Sequence, residues 1–110
     1  MAEYDLTVTD DLLKNIKKTL RITTKVYDDD IKETIQEGMA EIQTTVGPLD
    51  FSNDNDLVSI KAYSLLKTYC FYSWHDMKPV FKNDNKNDLL ELQMSNAIAQ
   101  RRNKHANKKE

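Results

Sequence analysis

The residues best suited to metal chemistry lie in two segments rich in Asp and Asn, residues 50–56 and the segment that starts at Asn83. A calcium-binding EF-hand loop needs glycine at its sixth position and a bidentate glutamate at its twelfth. The first segment has Asn55 and Lys61 at those positions, and the second has Met94 at its twelfth. Because neither segment can complete a calcium shell, we predict helix caps and solvated turns here and no metal site.

Nucleophilic or zinc chemistry would have to use Cys70 and His75, which are five residues apart near the end of a predicted helix. That spacing does not put them on one helix face, and a zinc site needs further ligands at characteristic spacing. A catalytic Cys–His pair also needs a third group that orients the base. The two glycines are isolated, so the sequence has no phosphate-binding glycine loop. We therefore expect Cys70 in the core and His75 at a helix end, with no catalytic residue, no cofactor and no enzyme activity.

The composition of the chain favours a few long helices. Its 110 residues suffice for one domain with a single modest core. Gly and Pro occur only twice each, whereas a β-sandwich or barrel needs many tight turns. One cysteine excludes an internal disulfide and fits a reducing, intracellular folding compartment. No apolar run approaches the roughly 18 residues of a membrane helix, so no membrane association is expected.

Apolar residues recur at helical spacing in four segments, which predicts an all-α bundle of about four helices. We expect one helical domain over residues 1–102, followed by a polar, basic C-terminal tail at 103–110. Residues 75–87, which include Pro79, are expected to form a loop. The predicted helices lie near residues 9–22, 28–46, 56–75 and 88–102.

Each predicted helix begins at a residue that can accept hydrogen bonds from free backbone N–H groups. For the first helix the cap is either Thr7 or Thr9, and for the second it is Asp28. Asn53 or Asn55 is expected to cap the third helix. The second helix should end at Val46, because Gly47 and Pro48 follow it.

Gly38 lies inside the second helix, where glycine costs about 1 kcal/mol relative to alanine. Two interpretations are open. Either the glycine has no structural role and its cost is tolerated, or it permits the close approach of another helix backbone.

The third predicted helix is apolar on nearly all sides. Such a helix is either central in its own domain or packed against a partner on a second side. Its aromatic run, 69–74, could form a base-stacking platform, but only Lys67 and Lys78 flank it, whereas such platforms place aromatics among basic residues. Core packing together with a subunit interface is the better interpretation. The residues expected at that interface are Ile60, Tyr63, Phe71 and Trp74.

Charge is distributed unevenly along the chain. The net charge of −2 combines +4 in residues 101–110 with −6 in residues 1–100. An acidic body would be repelled by nucleic acid, whereas the basic end could meet an acidic partner. The basic end is either a solvated, frayed terminus or a segment that orders on an acidic protein surface or on nucleic acid.

Five features follow one another in a particular order along the chain. They are Leu20-Arg21-Ile22, the spacer Asp28-Asp29-Asp30, the amphipathic segment 31–46, the Leu- and Tyr-bearing segment 60–66 and the aromatic segment 69–75. This order resembles the small head–tail connector (adaptor) proteins of tailed bacteriophages, over roughly residues 10–100. In one departure from the family, His75-Asp76-Met77-Lys78 stands where an Asn-Arg pair often follows the aromatics. In another, the segment before the last helix is unusually polar, so contacts that relatives make there need not transfer.

The resemblance implies a helical structural protein of the virion neck, between head and tail, present in the host cytoplasm during assembly. Such a protein is monomeric when free and forms a homo-oligomeric ring, dodecameric in the family, beneath the phage portal protein. The ring extends the channel through which genomic DNA passes without sequence-specific binding, and it offers a platform for the stopper or tail-completion protein. In relatives the C-terminal helix and tail bind the portal. The corresponding residues here are Ile98, Arg101, Arg102, Lys104, Lys108 and Lys109.

Two other classes of function stay open from sequence. The chain could be a small helical DNA-binding regulator whose basic surface is the first helix, with Lys14, Lys17, Lys18 and Arg21. The three aspartates at the start of the second helix oppose this reading, because they would disfavour its entry into a major groove. The chain could also be a general helical interaction domain.

Overall fold

The computed structural model describes residue 4, residues 6–52 and residues 56–108, with side chains described as far as Arg102. The described residues form five α-helices and one short 3-10 helix and contain no β-strand. The predicted all-α bundle is therefore confirmed. The α-helices are α1 (Asp10–Leu20), α2 (Asp28–Val46), α3 (Leu57–Trp74), α4 (Phe81–Asp84) and α5 (Lys86–Lys108), and the 3-10 helix is Lys78–Val80.

The core lies around α2 and α3, which pack against each other and each contact α1 and α5. The apolar residues of α2 recur every three or four positions, so they share one face and are all buried. That buried stripe consists of Ile31, Ile35, Met39, Ile42 and Val46. On α3 the buried residues cover one broad face, whereas Leu57, Ile60 and Phe71 are exposed.

The structure shows which of the predicted N-terminal caps form. Thr9 caps α1, because its hydroxyl accepts a hydrogen bond from the Leu12 N–H at 3.1 Å. Asp56 caps α3 and accepts from the Val58 N–H at 3.2 Å. The alternatives Asn53 and Asn55 lie outside the described residues, and Asp56, expected as the first helical residue, holds the capping position instead.

Asp28 was expected to cap α2, but it is the first residue of the helix, and Tyr27 holds the cap position without a side-chain cap bond. One carboxylate oxygen of Asp28 is buried and accepts no well-directed hydrogen bond in the described part of the chain. The same oxygen lies 2.7 Å from the Lys17 ammonium, which compensates its charge. The aspartate therefore joins α1 to α2, and all three aspartates lie in a first turn where the helix dipole favours them.

Arg21 and Asp76 follow the ends of α1 and α3 and have left-handed backbone conformations, with φ of 59° and 57°. The N–H groups of Ile22 and Met77 each donate to a carbonyl five residues earlier, at 2.9 and 2.7 Å. This is the Schellman pattern, which usually has glycine at the left-handed position. The first helix thus ends at Leu20 rather than at the predicted residue 22, because the chain turns at Arg21.

The prediction of a loop over residues 75–87 is wrong, since this segment contains the 3-10 helix and α4. Its organising residue is Phe81, whose side chain is only 1% exposed. The ring packs edge-on against the rings of Tyr69 and Tyr72, with centroids 5.1 and 5.8 Å apart. One buried aromatic side chain therefore orders a segment whose neighbouring residues are mostly polar.

The last helix is longer than predicted at both ends. It spans Lys86–Lys108 rather than 88–102, so residues 103–108 of the polar, basic tail have a helical backbone. No glycine or proline occurs between residues 86 and 108 to stop the helix. Asn96 is the last buried residue among those of α5 whose side chains are described. The molecule measures 50 × 29 × 25 Å.

Two buried amides hold the connection between α2 and α3. Gln43 is fully buried, accepts a hydrogen bond from the Leu49 N–H at 2.9 Å and donates to the Met39 carbonyl at 3.2 Å. The Asn96 amide of α5 donates to the Pro48 carbonyl at 3.1 Å. These bonds satisfy polar groups that would be costly to bury without partners.

A close approach does occur at Gly38, but it is made by side chains of α3 rather than by its backbone. A Cβ atom added to this glycine would lie 2.7 Å from Cδ1 of Tyr69 and 2.9 Å from Cδ1 of Leu66. The absence of a side chain at Gly38 lets these two residues fill the space between α2 and α3.

Candidate protein-binding surfaces

The residues with the most reactive side chains do not form a reactive site. Cys70 is fully buried, and burial raises the pKa of its thiol to about 12. His75 is exposed and its ring lies 4.4 Å from that of Phe71. Within the described part of the chain, no three His, Cys, Asp or Glu side chains gather as metal ligands. Asp50, from the first acidic segment, accepts a hydrogen bond from the Ser52 N–H at 2.9 Å, as in a turn.

A cavity of about 660 Å³ lies between α1, the start of α3 and the segment before α3. Its walls include Lys14 and Lys18 as well as Asp11 and Asp50. Because both signs of charge line it in equal number, the cavity has no electrostatic preference for an anion or a cation.

The predicted α3 interface is only partly on the surface. Ile60 and Phe71 are exposed, as an interface requires. Tyr63 is instead buried within its own domain, where the Lys67 ammonium lies over its ring at 4.9 Å. Trp74 is half-buried and packs edge-on against Tyr27 at 5.7 Å. Tyr63 is therefore covered by its own chain and Trp74 only in part, and the interface at Ile60, Phe71 and Trp74 stays a prediction.

The most regular exposed apolar surface lies on α5. Leu90, Met94 and Ile98 are 53%, 61% and 52% exposed, and they follow one another at intervals of four residues. Residues at that spacing lie on one helix face. We call these three residues the outer stripe. The opposite face of α5 carries Leu89 and Leu92, which are buried against the bundle.

Of the residues mapped to portal binding, Ile98 belongs to the outer stripe. Arg101 and Arg102 follow it by three and four positions, and both are exposed. Lys104 and Lys108 are within α5, but their side chains are outside the described part of the structure, as is all of Lys109. Sequence reasoning missed Leu90 and Met94 as surface residues, although they precede Ile98 by eight and four positions, which is helical spacing.

The basic surface proposed for DNA binding is incomplete. Lys14, Lys18 and Arg21 are exposed, but Lys17 is engaged with Asp28 at 2.7 Å. A carboxylate therefore lies within this surface, where a phosphate would be repelled.

No protein family, curated protein or solved structure matches this chain. Among the described helices, none has both the length and the apolar character needed to cross a membrane.

Proposed function

We propose that the chain is a structural subunit of the neck of a tailed bacteriophage, a head–tail connector that forms a ring beneath the portal protein. The observation that carries this proposal is the outer stripe of Leu90, Met94 and Ile98, followed on the same helix by Arg101 and Arg102. An apolar helix face with a basic end is suited to a groove on another protein that has acidic groups at one end. The resemblance of the sequence to connector proteins supports the portal as that partner.

In this proposal α5 makes the first contact. The apolar stripe would be removed from water on docking, and the two arginines would direct the helix towards the acidic part of the portal. Docked subunits then have a high local concentration, which favours contacts between neighbouring copies. A heterologous contact must either close into a ring or continue as a filament, and a portal ring imposes closure. The exposed side of the ring then receives the stopper or tail-completion protein.

The charge of the body is consistent with a DNA channel. Residues 1–100 carry a net charge of −6. DNA binds proteins largely through Lys and Arg contacts to phosphates, so an acidic wall does not retain it. Genomic DNA would pass through such a ring without sequence-specific binding.

Co-sedimentation with the portal protein encoded with this chain tests the proposal. Replacing both Met94 and Ile98 with lysine should abolish co-sedimentation, and so should deletion of residues 101–110. The matched control is Leu57→Lys on α3, an exposed apolar residue outside the stripe, which should leave portal binding intact. Circular dichroism should show unchanged helical content for the substituted chains, because their side chains are exposed.

If the chain with Met94→Lys and Ile98→Lys still binds the portal, the assignment of portal binding to α5 is wrong. If neither the parent chain nor any variant binds the portal, the connector proposal is wrong. A gel shift with double-stranded DNA separates the regulator alternative. Specific DNA binding that persists at physiological salt would favour the regulator, since non-specific phosphate contacts weaken steeply with salt.

A further inference from the structure

A second surface, which adjoins the outer stripe at Leu90 and differs from it in carrying two lysines, lies where α2, α4 and α5 meet. It is a groove of about 450 Å³. The buried Leu89 and the exposed Leu90 supply its apolar surface, and Lys82 and Lys86 supply positive charge. We call it the basic groove. Its lining is completed by Thr45, Asn83 and Gln93.

A protrusion of opposite charge lies in the connection between α1 and α2. Val26 is 79% exposed, more than any other large apolar residue in the described part of the chain, and Tyr27 beside it is also exposed. Asp29 and Asp30 follow, and both are exposed. We call residues 26–30 the acidic knuckle.

The acidic knuckle is held in place by two contacts. The Tyr27 ring packs edge-on against Trp74 at 5.7 Å, and Asp28 pairs with Lys17 at 2.7 Å. A protrusion that is already ordered loses little conformational entropy when it docks. Val26 is therefore an exposed apolar side chain on a supported loop, with two carboxylates beside it.

The knuckle and the groove lie towards opposite ends of α2. The knuckle includes the first residues of the helix, whereas Thr45 at the groove is its penultimate residue. At 1.5 Å per residue, Asp28 and Thr45 are separated by about 26 Å along the helix axis. The knuckle of one molecule thus cannot fill its own groove, and two such surfaces pair only in a heterologous, head-to-tail arrangement.

We infer that the acidic knuckle of one copy docks in the basic groove of the next copy of this chain. Val26 would meet the leucines, and Asp29 and Asp30 would meet the lysines. Lys82 already lies 2.9 Å from Glu41, whereas Lys86 forms no ion pair within the described residues and can pair with the incoming carboxylates. The pairing of the two surfaces does not depend on the proposed function. The statement that this contact closes a ring does.

Disulfide trapping tests the contact directly. Val26→Cys is placed in one chain and Asn83→Cys in another, and the two full-length chains are mixed and oxidised. Cross-linked dimer should form in the mixture and not in either chain alone, and a chain with both cysteines should give a ladder of oligomers. Native Cys70 does not compete, because it is fully buried and burial raises its pKa to about 12.

Charge reversal shows whether the two charged sets recognise each other. Lys82→Glu with Lys86→Glu in the Asn83→Cys chain should lower the dimer yield about tenfold, as should Asp29→Lys with Asp30→Lys in the Val26→Cys chain. Combining the two reversed chains should restore the yield. The matched control, Lys14→Glu with Lys18→Glu on α1, changes the same charge outside the groove and should have no effect.

Equal cross-linking of the Val26→Cys chain with itself would overturn the head-to-tail arrangement. Failure of the reversed pair to recover, or no dimer in the mixture, would assign the groove to a different partner. The outcomes separate from those of the portal experiment. If the chain binds the portal but the cross-link does not form, only the contact between knuckle and groove is contradicted. If the cross-link forms but the chain does not bind the portal, only the connector proposal is contradicted.

Discussion

The helices α3 and α5 both carry many leucines and other apolar residues, but their surroundings differ. The chain covers a broad face of α3 with α1, α2, α5 and the 3-10 helix, and three large apolar residues of this helix, Leu57, Ile60 and Phe71, stay exposed. On α5 one apolar face is buried, and the opposite face, the outer stripe, is exposed along three turns. An apolar side chain therefore marks a binding surface only where no other part of the same chain covers it.

The difference has a geometric cause. A helix in the middle of a small bundle has neighbours around most of its circumference, whereas a helix at the edge has them on one side. After Asn96, the residues of α5 with described side chains are exposed or half-buried, and the helix continues to Lys108. Five predictions test this contrast between a covered and an uncovered helix.

The largest expected effect is the loss of the residue that covers α3. Phe81→Ala should lower the free energy of unfolding by about 3–5 kcal/mol, because it leaves a cavity beside the rings of Tyr69 and Tyr72. The control Val80→Ala changes an exposed neighbour and should cost about 0.5 kcal/mol or less. Urea denaturation measures both. Equal costs would mean that Phe81 does not hold this segment on α3.

Matched truncations on the two helices measure the contrast itself. Leu66→Ala on α3 removes a fully buried side chain and should cost about 2–5 kcal/mol. Leu90→Ala on α5 removes the same atoms from an exposed site and should change stability by about 0.5 kcal/mol or less. Thermal or urea unfolding of both variants measures the two losses of stability. A large loss at Leu90 would show that the outer stripe is covered in the free chain.

Alkaline pH should destabilise the protein through α3. Burial raises the pKa of Cys70 to about 12 and raises the pKa values of Tyr63 and Tyr69. A folded-state pKa above the unfolded one gives stability that is complete below the unfolded pKa and is lost as pH rises through the folded value. Urea midpoints should therefore be constant up to about pH 8 and fall from there towards pH 12.

The hydrogen bond from Lys78 to Glu37 raises the pKa of that ammonium, and its contribution has the same sign. Residues 86–108 contain no Tyr or Cys, so α5 has no share in the tyrosine and thiol part of the decline. Replacing Cys70 with alanine removes the thiol and should make the decline shallower. An unchanged slope would mean that the thiol already ionises freely in the folded protein.

A methyl group at Gly38 tests how closely α2 and α3 approach. Gly38→Ala gains about 1 kcal/mol of helix propensity but introduces an overpacking cost of about 1–3 kcal/mol. The net result should be a loss of about 1 kcal/mol, because Phe81 and the helix itself restrict movement of the Tyr69 ring. Repeating the substitution in a Leu66→Ala background relieves one of the two contacts and should reduce the loss. A net gain in the parent background would show that the α3 side chains move aside.

The smallest effect is expected at the end of α3. Asp76→Gly should stabilise the protein by roughly 0.5–1 kcal/mol, because glycine adopts the left-handed conformation without strain and the substitution removes a carboxylate near the negative end of the helix dipole. Arg21→Gly at the end of α1 relieves similar strain but loses a favourable cation, so its gain should be smaller. Melting temperatures rank the two variants, and a reversed order would contradict the dipole argument.

Sequence patterns predicted the helical class, the bounds of α2 and the buried stripe on that helix, since these follow from the period of the helix. They also predicted Thr9 as one of two caps. They missed Phe81, because a single apolar residue among polar ones has no period to detect. They predicted Tyr63 at a subunit interface although its own chain buries it, because helical spacing shows which residues share a side and leaves open what covers that side.

The sequence by itself determined the approximate positions of the four long helices, the acidic body and the basic end of the chain. These properties depend on residues close together along the chain. Only the tertiary structure decided that most of α3 is covered and the outer stripe is not, and that side chains of α3 fill the space beside Gly38. It also decided that the acidic knuckle and the basic groove lie far apart on one molecule. Each of these depends on which distant segments pack together, and the stabilisation from burial depends on the area that such packing removes from water.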